Sequence, residues 1–416
     1  MPEKLELTFA PEDRYDRFRL ISWWDQERLQ QARVMVIGAG AIGNEVIKNL
    51  ALLGVGKIYI VDMDRVERSN LSRSVLFRPE DEGTYKARAA ARGAARINPD
   101  VTASALVGNV ISDVGLGLFR HVDVVIGGLD NREARVAINQ KCWLAGTPWI
   151  DGGIEVLHGV ARGFFPPEGP CYECTMTEQD YLLLEQRRSC ALLSRQEMEQ
   201  GKVPTTPTTS AVIAGIQVQE ALKLLHGQNQ MPLLKGRGYV FNGLSHDSYV
   251  VEYTARKDCP AHETAAETVC FDEARTDELT LGELLERVRA YCGPEALVEL
   301  NHDLVIRLYC NRCSRDEPLF RLLYTVQEEE GKCPDCQEMR VPEITHRLLG
   351  GEPFLHMTLA QVGIPPWDIV AGRQGLDKTY FELCGDKDAY EPQQEAEEHF
   401  AAEKDPAEAV EKAGGD

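Results

Sequence analysis

The sequence predicts an α/β protein, in which a doubly wound, Rossmann-like domain is followed by a smaller α+β domain that contains a zinc ribbon. Three observations lead to this fold class. A glycine-rich turn stands between a strand-like run and a helical pattern, at residues 34–53. Short apolar runs then alternate with helical patterns up to about residue 265. Beyond residue 279, two Cys-x-x-Cys pairs separated by 19 residues have the spacing of a zinc ribbon.

The apolar runs divide the chain into parts. Strands of the first domain are expected at 34–37, 57–61, 101–107, 122–126 and 149–151, with two closing antiparallel strands at 238–242 and 248–253. The resulting parts are an N-terminal arm (1–30), the first domain (31–265) with a long connection at about 175–209, a polar linker (258–278), the second domain (279–384) and an acidic disordered tail (385–416).

A capped helix opens the second domain. Apolar residues at 281, 284, 285 and 288 have helical spacing. Thr280 and Glu283 form a capping-box pattern, and Gly293 is expected to end the helix. Strands are expected to follow at 296–300, 304–309 and 320–326.

The composition excludes several classes of function. The chain has 416 residues, 43% of them hydrophobic, and a formal net charge of −21, which argues against a nucleic-acid partner. It has no apolar run of about 18 residues, so we expect no membrane partner. The first residues lack the apolar segment of a secretory signal, so we expect a cytoplasmic location.

The glycine-rich turn predicts a nucleotide site. Gly38, Gly40 and Gly43 follow the Gly-x-Gly-x-x-Gly spacing, which lets the backbone approach phosphates at a helix N-terminus. Asp62 ends the next strand, where an acidic residue holds ribose hydroxyls. These features alone also describe an NAD-dependent dehydrogenase.

The charged residues that follow distinguish ATP from NAD. Hydride transfer needs no cations and no metal ligand around the phosphates. A carboxylate that attacks the α-phosphate needs its negative charge offset, and Arg73, Lys86 and a Mg²⁺ held by Asp130 would do this.

Together these motifs resemble the ThiF-type family, which contains the ubiquitin-activating enzymes and the adenylyltransferases of bacterial sulfur-carrier proteins. The shared motifs are Asp62-x-Asp64, Ser69-Asn70-Leu71-x-Arg73, Gly83-x-x-Lys86, Ile97-Asn98-Pro99 and Leu129-Asp130-Asn131-x-x-x-Arg135. Ala41 and Ser74 depart from the family pattern, which has glycine and Gln there. The resemblance covers about residues 10–265.

The resemblance implies a role for each site residue. Gly38, Gly40 and Gly43 would form the phosphate loop, Asp62 with Asp64 would bind the ribose, Asn70, Arg73 and Lys86 would contact the phosphates, and Asp130 would hold Mg²⁺. Arg17 resembles an arginine that reaches the ATP of a partner subunit, which implies a homodimer; the alternative is an exposed basic turn.

Twelve cysteines without a signal peptide indicate zinc sites and a reactive thiol in a reducing compartment. The zinc ribbon would bind a structural zinc through Cys310, Cys313, Cys333 and Cys336. A second structural zinc site is implied by the resemblance, with the ligands Cys171, Cys174, Cys259 and His262. Cys270 is an alternative fourth ligand.

Cys190 is the candidate nucleophile. Arg187 and Arg188 precede it, and arginines favour the thiolate. It lies just before a stretch (204–223) that resembles the helix following the crossover loop of ubiquitin-activating enzymes, which place their thioester-forming cysteine there. The alternative is an incidental thiol.

The resemblance therefore implies a homodimeric activating enzyme for a ubiquitin-like protein. It would adenylate the partner's C-terminal carboxylate with ATP, form a thioester on Cys190, and pass it to a conjugating enzyme. Residues 279–384 are interpreted as a version of a ubiquitin-fold domain, and the single adenylation domain favours a bacterial pathway of a kind that includes antiviral (antiphage) defence. The alternatives are a sulfur-carrier adenylyltransferase without a thioester, a tRNA-modifying enzyme and a non-catalytic scaffold.

Overall fold

An eight-stranded sheet forms the centre of the first domain. The computed structural model describes residues 13–182, 204–227, 231–265 and 267–391. The strands of this sheet are β1 (Arg33–Ile37), β2 (Lys57–Val61), β3 (Thr102–Leu106), β4 (Val124–Gly127), β5 (Trp149–Glu155), β6 (His158–Phe164), β7 (Arg237–Asn242) and β8 (Asp247–Glu252). Their order is β3-β2-β1-β4-β5-β6-β7-β8. The first five are parallel, and β6 to β8 continue the sheet antiparallel.

Helices cover both faces of this sheet. They are α1 (Gln26–Gln31), α2 (Ala41–Leu53), α3 (Lys86–Ile97), α4 (Leu116–His121), α5 (Arg132–Ala145) and α6 (Pro207–His226). Alternate residues of β1 enter two different cores: Val34 and Val36 pack with α2, α3 and α6, whereas Met35 and Ile37 pack with α4 and α5. The prediction of a doubly wound α/β domain is confirmed.

The second domain is built on a second sheet. Its elements are β9 (Thr268–Phe271), α7 (Leu281–Cys292), β10 (Leu297–Tyr309), β11 (Asp316–Leu322), α8 (Glu328–Gly331), β12 (Val341–Leu348), β13 (Ile369–Gln374) and β14 (Asp377–Leu383). The sheet order is β11-β10-β13-β14-β9, and β12 also pairs with β10. The capping box of Thr280 and Glu283 starts α7, and Gly293 ends it, as expected.

The expected linker at 258–278 contains β9, which was not predicted. β9 pairs in parallel with β14, more than 100 residues further along the chain. Its four residues are only partly buried, so the local sequence carries a weak strand signal.

The two domains pack directly against each other. Trp367 and Tyr390 of the second domain belong to the same buried cluster as Phe119 of α4. The backbone N–H of Gly117 donates to the carbonyl oxygen of Trp367 (2.9 Å), and that of Leu116 donates to Asp368 Oδ1 (3.0 Å). The helix α4 therefore lies at the contact between the two domains.

The folded chain continues past the expected start of the acidic tail at residue 385. Asp386 is buried and accepts a hydrogen bond from the backbone N–H of Thr276 (2.8 Å). Glu391 pairs with Lys57. The expected boundary at 385 is therefore wrong, because these acidic residues have partners; residues 392–416 lie outside the described residues. Of the helices in the described residues, none has both the length and the apolar character needed to cross a bilayer.

Candidate functional site

The glycine-rich turn lies at the carboxyl end of β1, the point where the strand order reverses. Gly38 has a φ of +89°, and a Cβ there would lie 2.6 Å from the carbonyl oxygen of Gly128. A Cβ on Gly43 would lie 1.7 Å from the carbonyl oxygen of Gly38. At Gly40, which caps α2, a Cβ would have no described neighbour within 4 Å. The turn is thus closed on one side and open at the helix N-terminus, where a phosphate fits.

Asn44, in the first turn of α2, holds this loop in shape. Its buried Nδ2 donates to the carbonyl oxygens of Ala39 (2.6 Å) and Gly40 (3.1 Å). Its Oδ1 accepts from the backbone N–H of Leu76 (2.9 Å), three residues after Arg73. Asn44 therefore links the phosphate loop to the segment that carries Arg73. Asn44 was not among the predicted site residues, although a polar residue within an apolar helical pattern is a signal of such a role.

Three predicted site residues meet at the carboxyl end of β2. Asp62 accepts hydrogen bonds from the backbone N–H groups of Ala39 (2.7 Å) and Asp64 (2.8 Å). Burial raises the pKa of the Asp62 carboxyl, although Lys86 and these N–H groups oppose the shift. Lys86 Nζ lies 2.7 Å from Asp64 Oδ2. The acidic pair and the lysine therefore stand directly beside the phosphate loop.

Asn70 and Arg73 lie on a short 3-10 helix, Arg68–Ser72, and at its end. Asn70 is buried, and its Oδ1 accepts from the backbone N–H of Glu67 (2.9 Å), so it caps this helix. Arg73 is partly exposed and donates to the carbonyl oxygen of Ser69 (2.9 Å). Asn70 thus acts on the fold of the segment, while the Arg73 guanidinium has further N–H groups for a ligand.

Asp130 lies in the loop between β4 and α5. Its carboxylate is exposed and accepts a hydrogen bond from Asn131 Nδ2 (3.4 Å). The loop touches the phosphate loop, since a Cβ on Gly38 would contact both Gly128 and Leu129. One open carboxylate beside a phosphate site suits Mg²⁺, which keeps several waters and binds phosphate oxygens.

Arg17 is not brought to the phosphate loop of its own chain. It is exposed, and its neighbour Tyr15 packs against Gly54 and accepts a hydrogen bond from Asn98 Nδ2 (2.7 Å). Gly54 and Asn98 cap the carboxyl ends of α2 and α3. The phosphate loop lies at the other end of α2, and 13 residues make that helix about 20 Å long.

Cys190, the predicted nucleophile, lies outside the described residues. The two described ends of its connection are anchored. Asp180 pairs with Arg132 at the start of α5. The carbonyl oxygen of Pro204 accepts from the backbone N–H of Val156 (2.8 Å). The connection therefore starts beside the Asp130 loop.

The first cluster of potential metal ligands, here called the Cys₃His cluster, consists of Cys171, Cys174, Cys259 and His262. Cys171 Sγ lies 3.8 Å from Cys174 Sγ and 3.5 Å from Cys259 Sγ, and Cys174 Sγ lies 3.4 Å from His262 Nε2. Zinc bonds of about 2.0–2.3 Å require ligand separations of this size. Burial lowers the pKa of His262, which favours the neutral ring that a metal needs.

The second cluster, here called the ribbon cluster, joins two turns of the same shape, which carry Cys310, Cys313, Cys333 and Cys336. Cys310 Sγ lies 3.6 Å from Cys336 Sγ. The backbone N–H of Ser314 donates to the carbonyl oxygen of Cys310, and that of Gln337 to Cys333, both at 2.8 Å. Ser314 and Gln337 both have positive φ. The N–H of Cys313 lowers the pKa of Cys310 to about 7, whereas the hydrogen bond with Cys336 raises the pKa of Cys313 to about 12.

Cys270, the alternative ligand, does not belong to the Cys₃His cluster. It forms a disulfide with Cys384, which lies on the neighbouring strand end. Cys384 could not be recognised as its partner from the sequence, because the parallel pairing of β9 and β14 was not predicted. This alternative is therefore wrong.

Comparison with known proteins agrees with this geometry. Residues 13–261 match the ThiF family. The chain is 33% identical over 265 residues to the SAMP-activating enzyme E1 of Haloferax volcanii, covering 62% of this chain and 90% of that protein. It is 33% identical over 273 residues to the sulfur carrier protein adenylyltransferase of Thermus thermophilus, covering 64% and 90%. It is 32% identical over 218 residues to ubiquitin-like modifier-activating enzyme 5 of Dictyostelium discoideum, covering 48% and 54%.

Among solved structures, E. coli MccB with succinimide aligns with a TM-score of 0.50 at 23% identity, covering 60% of this chain and 74% of MccB. This likeness shows the fold alone. The family match ends at residue 261, so the second domain lies outside it.

Proposed function

This chain belongs to the ThiF family of adenylating enzymes, and we propose that it activates a ubiquitin-like protein by adenylating its C-terminal carboxylate with ATP. The observation that carries this proposal is the meeting of three elements at the carboxyl ends of β1, β2 and β4. These are the phosphate loop, the Asp62–Asp64–Lys86 group and the Asp130 loop. The names of the relatives in Haloferax volcanii and Thermus thermophilus support the substrate class.

In the proposed reaction, a carboxylate oxygen of the partner attacks the α-phosphorus, and pyrophosphate leaves. The N-terminus of α2 and the open backbone at Gly40 bind phosphate oxygens. Arg73 and Lys86 offset the charge that develops, and nucleotide binding exchanges the ion pair of Lys86 with Asp64 for a phosphate contact. Asp62 and Asp64 bind the ribose.

Asp130 would hold Mg²⁺, which neutralises charge on the phosphate oxygens when it is bound. The open carboxylate of Asp130 supports this assignment. Asn70 supports the site by keeping the Arg73 segment in place.

We further propose that Arg17 completes the site of a second copy of the chain. Its position at the far end of α2 supports this, because it cannot serve its own phosphate loop there. Arg17→Ala and Lys86→Ala would each be inactive alone. An equal mixture of the two variants would regain about a quarter of the wild-type activity, because about half of the dimers are then mixed and each mixed dimer has one complete site out of two. No recovery in a mixture that forms mixed dimers would contradict the trans role.

The second step of the proposal takes place on Cys190. Its thiolate attacks the acyl carbon of the adenylate, a thioester forms, and AMP leaves. The anchoring of the connection beside the Asp130 loop supports this step, because the connection that carries Cys190 starts there. A conjugating enzyme would receive the acyl group. The bacterial setting, the antiviral context, the cytoplasmic location and the ubiquitin-fold interpretation of residues 279–384 stay predictions.

The test is a non-reducing gel of the enzyme with ATP, Mg²⁺ and a purified ubiquitin-like protein, beside Cys190→Ala. We expect a thiol-sensitive adduct in the wild-type enzyme that is lost in Cys190→Ala. In a separate assay, both the wild type and Cys190→Ala should exchange pyrophosphate into ATP. Absence of exchange in both would contradict the adenylation itself.

A sulfur-carrier adenylyltransferase is the second candidate, favoured by the Thermus thermophilus relative. It predicts pyrophosphate exchange without a Cys190 adduct. The gel therefore separates the two functions.

We also propose that both clusters bind structural zinc. The ligand separations fit zinc, and four protein ligands leave no open position for catalysis. The Cys₃His cluster would join the end of the first domain to its middle, and the ribbon cluster would stabilise the turns between β10, β11 and β12.

A further inference from the structure

The loop 128–131 connects β4 to α5 and carries Asp130. The Asp130 side chain is exposed, so its position depends on how the loop backbone is held. Asn131 caps α5 by accepting from the backbone N–H of Ala134 (2.8 Å). This fixes the far end of the loop. At its near end, Gly127 pairs with β1 and β5, and the backbone N–H of Gly128 donates to the carbonyl oxygen of Ile37 (2.9 Å).

Two side chains hold this part of the loop. Gln217 of α6 is fully buried, and its Nε2 donates to the carbonyl oxygens of Gly127 (2.7 Å) and Ile150 (3.0 Å). Arg135 of α5 reaches back with its Nη2 to the carbonyl oxygen of Leu129, the residue before Asp130. The backbone on both sides of Gly128 is therefore fixed by side chains.

Arg135 is itself held by Asp151. Asp151 on β5 is fully buried, and its Oδ1 accepts from Arg135 Nε (2.9 Å). Its Oδ2 accepts from Arg162 Nε, also at 2.9 Å. Burial alone would raise the pKa of Asp151, but the two guanidinium groups lower it, so the carboxylate stays ionised. A buried carboxylate with two arginines is an arrangement that fixes both guanidinium planes.

We infer that Arg135 is a positioning residue, which, held by Asp151, orients the Asp130 loop for metal and nucleotide. This inference rests on the proposed function for the part that concerns Mg²⁺. Arg135 forms hydrogen bonds to Asp151, Leu129 and Gly152 at once, which requires the planar fork of a guanidinium. A lysine keeps the charge but cannot span these partners.

The structure offers a matched control. Arg162 pairs with the same Asp151 carboxylate, but its described hydrogen bonds do not reach the loop. In both Arg135→Lys and Arg162→Lys, Asp151 keeps one arginine, and a comparable loss of stability is expected. Only Arg135→Lys also loses the contact to Leu129.

The first measurement is hydrogen exchange of the backbone amide of Gly128, which donates to the carbonyl oxygen of Ile37 (2.9 Å) at the start of the loop, in the purified chain without ligand. We expect exchange at least about tenfold faster in Arg135→Lys than in wild type, and near wild-type exchange in Arg162→Lys. Equal acceleration in both variants, or in neither, would overturn the inference. If Arg135→Lys does not fold, Arg135→Gln is compared with Arg162→Gln in the same way, with the same expected and contradicting outcomes.

The second measurement is ATP binding by calorimetry across a Mg²⁺ titration. Arg135→Lys should need about tenfold more Mg²⁺ for half of the maximal effect, the usual size for residues that orient a metal ligand, and Arg162→Lys should match wild type. If the wild type binds no ATP, the proposed function fails, while the exchange measurement still decides the role of Arg135.

Discussion

Replacing Asn44 by leucine should loosen the phosphate loop and lower the stability of the first domain. The leucine has a similar size but removes three hydrogen bonds of the buried amide. The carbonyl oxygen of Gly40 keeps its bond from the backbone N–H of residue 44, so two groups lose their partner: the carbonyl oxygen of Ala39 and the N–H of Leu76.

Each buried polar group without a partner costs about 1–3 kcal/mol, and at about 1.5 kcal/mol for each of the two groups the free energy of unfolding should fall by about 3 kcal/mol. If the whole folded chain of about 380 residues melts in one transition, with an entropy of unfolding of about 2.1 cal/mol/K per residue, this corresponds to a Tm lower by about 4 °C. ATP binding should weaken as well, because Ala39 and Gly40 belong to the loop that approaches the phosphates.

Thermal unfolding followed by circular dichroism gives the first number, and calorimetric titration with ATP gives the second. Asn242→Leu is the matched control, since Asn242, the half-buried last residue of β7, accepts one exposed hydrogen bond, from the backbone N–H of Leu244. A change in Tm no larger than that of the control, with unchanged ATP affinity, would refute the reasoning.

Three further predictions follow from charges and cysteines. Burial lowers the pKa of Lys141 from 10.5 to about 8, although Asp368 opposes the shift. The unfolded chain therefore binds more protons between these two values, and the free energy of unfolding should rise with pH from about 8 towards 10.5, relative to Lys141→Met. Urea unfolding measures this difference, and a difference that stays constant with pH would contradict the prediction. His262→Cys should retain two zinc ions per chain, and His262→Ala only one, by elemental analysis; two in His262→Ala would exclude it as a ligand. Cys270→Ser should free the thiol of Cys384 for alkylation and lower the Tm under oxidising conditions only; an equal loss in reductant would show a packing effect instead.

The sequence predicted the parts of the site whose geometry is local. Gly38, Gly40 and Gly43 form one turn, and each pair of cysteines in the ribbon cluster lies within one turn, so spacing alone identified them. The meeting of Asp64 with Lys86 required the family resemblance in addition.

Contacts between distant segments could not be predicted in this way. Asn44 meets Leu76, and Gln217 meets Gly127, across 32 and 90 residues. These polar residues face the core, and their partners are backbone groups, which leave no pattern in the sequence. The strand β9 was not predicted for a related reason, because it is short and its pairing partner β14 is the last strand of the second domain.

The contact between α4 and Trp367 determines whether the two domains unfold together or separately. A Cβ on Gly117 would lie 2.4 Å from the indole ring of Trp367, and a Cβ on Gly115 would lie 2.1 Å from the carbonyl oxygen of Pro366. The two domains therefore pack too closely here for any side chain at these two positions. Phe119 and Trp367 share one buried cluster, and removing the second domain would expose apolar residues of the first domain to water. The two domains should therefore unfold in a single cooperative transition. A fragment that ends at residue 265 should expose an apolar surface and aggregate instead of folding as an independent unit.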